Sequence, residues 1–143
     1  MIQRIQTIFF FLSAGALGGL FALPLATSAT KAAAGIFQDG IFNVQDNLIM
    51  VIIVGLAILI SVIAIFLFKN RPLQMNMARA ALFVVGAFVG YSGFEFFNAA
   101  DTVNDEQFGL GLIFPIVAVV LLTLAYRAIK KDHKLVKSMD RLR

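Results

Sequence analysis

The sequence predicts an all-α membrane protein with four transmembrane helices and both termini in the cytoplasm. A C-terminal basic amphipathic helix is expected to lie in the membrane interface. Three observations predict this. First, 60% of the 143 residues are hydrophobic and only 14% are charged, with a mean hydropathy of +0.90; an ordinary soluble domain carries about 25% charged residues. Second, four apolar segments reach or approach the roughly 20 residues that cross a hydrocarbon layer. Third, the basic residues gather in alternate connections.

The first span runs from Ile5 to Leu25 without a charge and follows Arg4. A cleaved signal peptide fits the same charge pattern, with small residues from Ala26 to Ala34 offering cleavage sites. The uncharged run is long for a signal core, so we read it as a retained span. The loop from Ala26 to Asn47 carries Lys31, Asp39 and Asp46, and places Ile36-Phe37 and Ile41-Phe42 on either side of Asp39-Gly40. Two readings fit: a short hairpin with a primed turn, or an interfacial loop resting Phe37 and Phe42 in the headgroups.

The second span, Leu48 to Phe68, is almost wholly bulky or β-branched and is expected to be the most lipid-facing helix. A connection from Lys69 to Arg79 follows, with Lys69, Arg71 and Arg79 and no acid. The third span covers residues 78–97 and is interrupted by Glu95. The loop from Asn98 to Gln107 holds Asp101, Asp105 and Glu106 and no base. The fourth span, Phe108 to Tyr126, contains Pro115 as its one breaker. None of these runs alternates with a period of two, so helices rather than barrel strands are expected. Residues 1–126 thus form the transmembrane domain and residues 127–143 the tail.

Orientation follows from the charges. Of the 12 basic residues, every one but Lys31 falls on the side of the termini and the second connection. The positive-inside rule puts that side in the cytoplasm.

Glu95 is the residue with the most chemical interest. From Ala80 to Phe94 the helix is about 22 Å long at 1.5 Å per residue, short of a core of about 30 Å. Glu95 therefore falls near the outer interface among Phe94, Phe96 and Phe97. One reading makes it a proton relay, ion ligand or partner for a cation. The other makes it an interfacial residue facing water with Asn98 and Asp101. We expect its carboxylate to face the bundle or a partner protein rather than lipid.

Small residues suggest the packing surfaces. Gly15 and Gly19 in the first span, and Gly86 and Gly90 in the third, form small-xxx-small pairs that let helix backbones approach closely. Packing of the first helix against the third is expected, with docking of a partner helix or homodimerisation as the other reading.

From Arg127 the pattern changes. Ala128, Ile129, Leu135, Val136, Met139 and Leu142 form an apolar stripe, and Lys130, Lys131, Lys134, Lys137, Arg141 and Arg143 occupy the remaining arc. Such a helix lies in the interface plane and is drawn to an anionic leaflet, each basic residue contributing about 1 kcal/mol. A helix that simply continues the fourth span also fits. Nucleic acid is an unfavoured partner, since no aromatic residues interleave with the charges for stacking.

No phosphate-cradling loop, metalloprotease motif, nucleophile elbow or Ser/His/Asp set occurs. There is no cysteine, and the single histidine, His133, lies in the tail. No cofactor, metal or small-molecule substrate is expected, and no catalytic residue is assigned. Ser13, Ser61 and Ser92 are expected to bond back to their own helix carbonyls.

Three stretches carry a resemblance: Met1 to Thr7 (MIQRIQT), Phe68 to Gln74 (FKNRPLQ) and Arg127 to Arg143 (RAIKKDHKLVKSMDRLR). Together they resemble a family of small four-helix inner-membrane proteins of Bacteroidota that is catalogued as a domain of unknown function. His133 departs from the pattern, in which an acidic residue is expected there. The resemblance implies location in a bacterial inner membrane and brings no activity. The expected function is that of an accessory subunit of a larger inner-membrane complex. It would dock through its glycine-lined helices and a basic cytoplasmic face made of Arg4, Lys69, Arg71, Arg79, Arg127, Lys130, Lys131, Lys134, Lys137, Arg141 and Arg143. The alternative is a small transporter or channel component that uses Glu95.

Overall fold

The computed structural model describes residues 3–29, 35–100 and 106–140, and among these the chain forms four helices and three short strands. The helices are α1 (Gln3–Gly19), α2 (Leu48–Phe66), α3 (Arg71–Ala100) and α4 (Ile113–Asp140). Lys31, Asp101, Asp105, Arg141 and Arg143 lie outside the described residues.

The ends of the helices follow from local chemistry. Asn47 caps α2, its Oδ1 accepting from the Ile49 N–H at 2.9 Å. Asn70 does the same for α3: its side chain accepts from Leu73 N–H at 3.2 Å and its carbonyl from Gln74 N–H at 2.9 Å. Pro72 and Pro115 each fall in the first turn of a helix, where a missing N–H leaves no helical bond unmade. α1 ends at Gly18-Gly19 in a tightening series of i to i−3 bonds, Phe21 to Gly18 and Ala22 to Gly19.

The helices form an up-down-up-down square. α1 packs on α2 and α4, and α3 packs on α2 and α4, so α1 and α3 stand diagonally. Each helix buries one stripe: Gln6, Phe10, Ser13, Leu17 and Leu20 on α1, and Met50, Val54, Ala57, Ser61 and Ala64 on α2. On α3 the stripe is Gln74, Ala78, Ala81, Val85, Phe88 and Ser92, and on α4 it is Ala118, Leu122, Ala125 and Ile129. The spacing alternates between four and three throughout. That 3.5-residue repeat is the signature of slightly supercoiled helices packed side chain into gap. Alanine and serine at these positions bring the helices close, while Ile52, Leu59, Phe66, Phe83 and Ile116 point outward. Among the described residues α2, α3 and α4 are long and apolar enough to cross a membrane.

At one end the connections form a small antiparallel sheet. β1 (Ala26–Ser28) sits between β2 (Ile41–Phe42) and β3 (Glu106–Phe108), with Ala26 opposite both Phe42 and Phe108. Gly109 N–H donates to Leu25 carbonyl at 2.8 Å and Gly111 N–H to Pro24 carbonyl at 2.9 Å, fastening the start of α4 to the exit of α1. We call this the sheet end; the opposite end, where α1 and α3 start and α4 finishes, is the basic end.

The structure corrects several expectations. The first span does not continue helically to Leu25, because Pro24 and Leu25 lend their carbonyls to the returning chain. α1, with 17 residues, is about 25 Å long, shorter than the other three helices. The second connection shrinks to residues 67–70, since Asn70 starts α3 at Arg71 and the residues up to Arg79 are helical. Phe108 to Leu112 forms a strand and a 3-10 turn rather than the beginning of a helical span.

Ile36-Phe37 does not pair with Ile41-Phe42 in a hairpin. The chain turns from Phe37 to Gly40, which has φ +84°, and β2 pairs with β1 instead. Nor do Phe37 and Phe42 reach headgroups: both are buried, and Phe37 stands edge-on to Phe96 with centroids 6.1 Å apart. The tail is not a separate in-plane helix. α4 runs unbroken to Asp140, with Ile129 in the core and Asp132 held by α3.

Candidate functional site

Polar chemistry collects at the two ends of the bundle. At the sheet end, Glu95 on α3 accepts from Asn47 Nδ2 at 3.2 Å, and the same amide donates to the Tyr91 hydroxyl at 3.0 Å. Tyr91 stands one turn before Glu95 on the same helix. Since Asn47 also caps α2, the three side chains tie the start of α2 to the last turns of α3. The Glu95 carboxylate is half-buried and turned into this cluster. Neither the cap at Asn47 nor Tyr91 stood out in the sequence, because Asn47 reaches Tyr91 and Glu95 across 44 and 48 residues. Asn47→Ala removes both the cap and the tie and is expected to cost about 1–2 kcal/mol of stability in detergent. Glu95→Gln keeps an acceptor for Asn47 and should cost distinctly less; equal losses in thermal unfolding would contradict the tie.

Nearby, Asp46 closes a turn, its Oδ2 accepting from Asn43 N–H at 2.6 Å. Partial burial pushes its carboxyl above the ordinary range, the Asn43 bond opposes this, and the Asp39 charge adds to the rise. An apolar cavity of about 190 Å³ opens between α3 and the sheet, lined by Leu25, Phe42, Gly93, Phe96 and Phe108 with Ser92 at its wall. The Ser92 hydroxyl is spent on Val89 carbonyl at 3.1 Å, so the lining offers a guest apolar contact alone.

At the basic end, Arg71 Nε meets Asp132 Oδ2 at 2.7 Å, joining the first turn of α3 to α4. Their side chains are 26% and 13% exposed, so this pair is mostly withdrawn from solvent. Just inside it, buried Gln74 donates from Nε2 to Ala64 carbonyl at 2.9 Å, binding α3 to the end of α2. Gln74 Oε1, Gln6 Nε2 and Ser13 Oγ are buried with no hydrogen-bond partner among the described residues. Ser61 and Ser92 bond to their own helices, at Ala57 and Val89; Ser13 does not.

The residues expected to form one basic face divide into two kinds. Arg71 faces inward to Asp132. Lys69, Arg79, Arg127, Lys130, Lys131, Lys134 and Lys137 are exposed. Arg79 is the highest of them in the bundle, and its bond to Asn76 leads the guanidinium back toward the basic end. Arg4 lies in the first turns of α1. Asp132 went unnoticed among the lysines of the tail. Its role depends on Arg71, which only the fold brings near.

The glycines do not make the predicted contact. α1 and α3 are diagonal, and Gly15, Gly86 and Gly90 lie on outer faces with no atom within 4 Å of an added Cβ. Of these four only Gly19 is pressed, by the Phe114 ring of α4 at 2.7 Å from an added Cβ. Close helix approach is achieved by the buried Ala and Ser stripe instead, which leaves these glycines on the surface.

Among the described residues no three His, Cys, Asp or Glu side chains converge as a metal site. A family model described as "Domain of unknown function (DUF4293)" matches residues 2–142. No curated protein and no solved structure matches the chain significantly.

Proposed function

The chain belongs to the DUF4293 family, whose description carries no activity, and on that premise we propose that it is an accessory subunit of a larger complex in a bacterial inner membrane. The resemblance of its ends and inner connection suggests a Bacteroidota membrane. In this reading the chain crosses four times, α1 completing its crossing with the turns to Leu25, and both termini are cytoplasmic. The basic end then faces the cytoplasm, as the positive-inside rule requires.

One observation carries the reading. Seven basic side chains stand exposed toward one end of the bundle (Lys69, Arg79, Arg127, Lys130, Lys131, Lys134 and Lys137), while Arg71, the one that meets a carboxylate among the described residues, does so inside the protein. The buried polar groups act as ties between helices, and the exposed basic groups meet no carboxylate among the described residues. The anionic inner leaflet takes those nearest the apolar surface, and a protein partner takes the rest. Engagement of Glu95 by Asn47 favours this over the transport alternative.

Tagged protein extracted in mild detergent is expected to bring down a partner in fixed stoichiometry, identified by native mass spectrometry. Removing residues 134–143 spares the Arg71–Asp132 pair and should deplete that partner. A homogeneous monomer, with ion or proton flux in vesicles that Glu95→Gln abolishes, would replace the subunit reading with the transport one.

A further inference from the structure

We propose that the last turns of α4 project from the bundle as an upright docking post whose outer face binds an acidic amphipathic segment of a partner protein. This rests on the subunit reading above and names the surface and the chemistry of its occupant.

The projection follows from the level of each helix. Gly19 of α1 meets Phe114 of α4, and the two helices run antiparallel. At 1.5 Å per residue the described start of α1, Gln3, is therefore level with Lys130 of α4. The ion pair sets the start of α3 level with Asp132. α2 has already ended at Phe66, near the level of Gln74. Residues 133–140 thus extend about 12 Å of helix beyond the described starts of α1 and α3.

The Arg71–Asp132 pair holds the base of this projection against α3. An unbroken helix clamped in that way stands along the bundle axis and cannot lay its apolar side into the lipid surface. Its outward face carries Lys130, Lys131, Lys134 and Lys137, all exposed, with Leu135 47% exposed among them. Asp132, the acid within this run, is already spent on Arg71.

Charge selects the occupant. A second copy would bring the same lysines against these, a like-charge arrangement that opposes association. Headgroup phosphates reach the first turn past the membrane surface. By helical rise Lys137 lies about 7 Å beyond Asp132, at the outer limit of that layer. An acidic helix with one apolar face answers both the lysines and Leu135, by the helix-on-helix mode of recognition.

The test uses the full-length protein in its native membrane. A photo-reactive phenylalanine analogue replaces Leu135 and, in a separate strain, the outward Phe83 as a reference. The cross-linked product is mapped to the residue by mass spectrometry. The expected result is a cross-link from position 135 into a helical segment bearing several Asp or Glu residues. Lys134→Glu with Lys137→Glu should reduce its yield about tenfold, through like-charge repulsion, at unchanged protein level, and Lys134→Arg with Lys137→Arg should preserve it. Cross-links to lipid, to RNA, to a second copy or to a segment without acids overturn the proposal, as does a yield indifferent to charge reversal. If position 135 gives no cross-link while native mass spectrometry still shows the complex, the post fails and the subunit reading stands. If no complex is seen either, both fail.

Discussion

Gly111→Ala is expected to lower stability by about 3 kcal/mol, toward the severe end for an added methyl group in a packed site. A Cβ at this position would lie 2.5 Å from Pro24 carbonyl oxygen and 2.8 Å from Leu23 carbonyl oxygen. Those are backbone atoms, and Pro24 carbonyl is already fixed by the Gly111 N–H at 2.9 Å, so neither side can give without parting α4 from the exit of α1. Gly109→Ala meets the same obstacle, with Pro24 oxygen closer still to its added Cβ. Gly86→Ala and Gly90→Ala supply the contrast. Nothing lies within 4 Å of either added Cβ, and alanine is the better helix former by about 1 kcal/mol, so both should be neutral or stabilising. Thermal unfolding in one detergent orders the four variants. If Gly111→Ala melts with the wild type, the close approach of α1 exit and α4 start is wrong.

Arg71→Met is expected to cost about 2 kcal/mol, somewhat below the roughly 3–5 kcal/mol of fully buried pairs because Arg71 keeps 26% of its side chain exposed. The loss comes from stranding the Asp132 carboxylate, which is 13% exposed and, among the described residues, meets no other cation. Arg71→Met with Asp132→Leu removes both charges, and most of the stability should return, since a buried pair replaced by apolar groups is often neutral. A double-mutant cycle on unfolding free energies isolates the coupling. Additive losses would show that the two side chains do not act as a pair.

Part of this architecture is legible in the residues alone. Long apolar runs must become helices, because backbone amides and carbonyls in a membrane have no water to bond and must bond each other. The segregation of charge is equally local: lysines and arginines cluster where the apolar runs stop. Asn47 and Asn70 suit helix caps, and the prolines at 72 and 115 suit first turns, once the helix starts are known. Where expectation went astray, the cause was an apolar pattern without contrast. Phe108 to Leu112 is as hydrophobic as the helix that follows, yet forms a strand and a tight turn.

Which face of each helix turns inward was decided only by the fold. In a bundle whose outside is also apolar, Ile52 and Val54 look alike in sequence, although the first is 59% exposed and the second fully buried. Neither size nor polarity alone separates the faces, since the close-packed stripes combine Ala57, Ser61, Ala78, Ala81, Ala118 and Ala125 with Phe10, Gln74, Phe88 and Leu122. Glycine stripes mark capacity for close approach, and here that capacity faces outward at residues 86 and 90. The sheet is likewise invisible locally, for strands of two and three residues from two separate connections have no period to detect. The same holds for the basic residues. Composition sends them to one end of the molecule, but only the meeting of α3 with α4 turns Arg71 inward to Asp132 and leaves Lys134 and Lys137 outside on a continuous helix. Charge placement obeys the local sequence; charge pairing requires two elements to arrive at the same level, which is a property of the packed bundle.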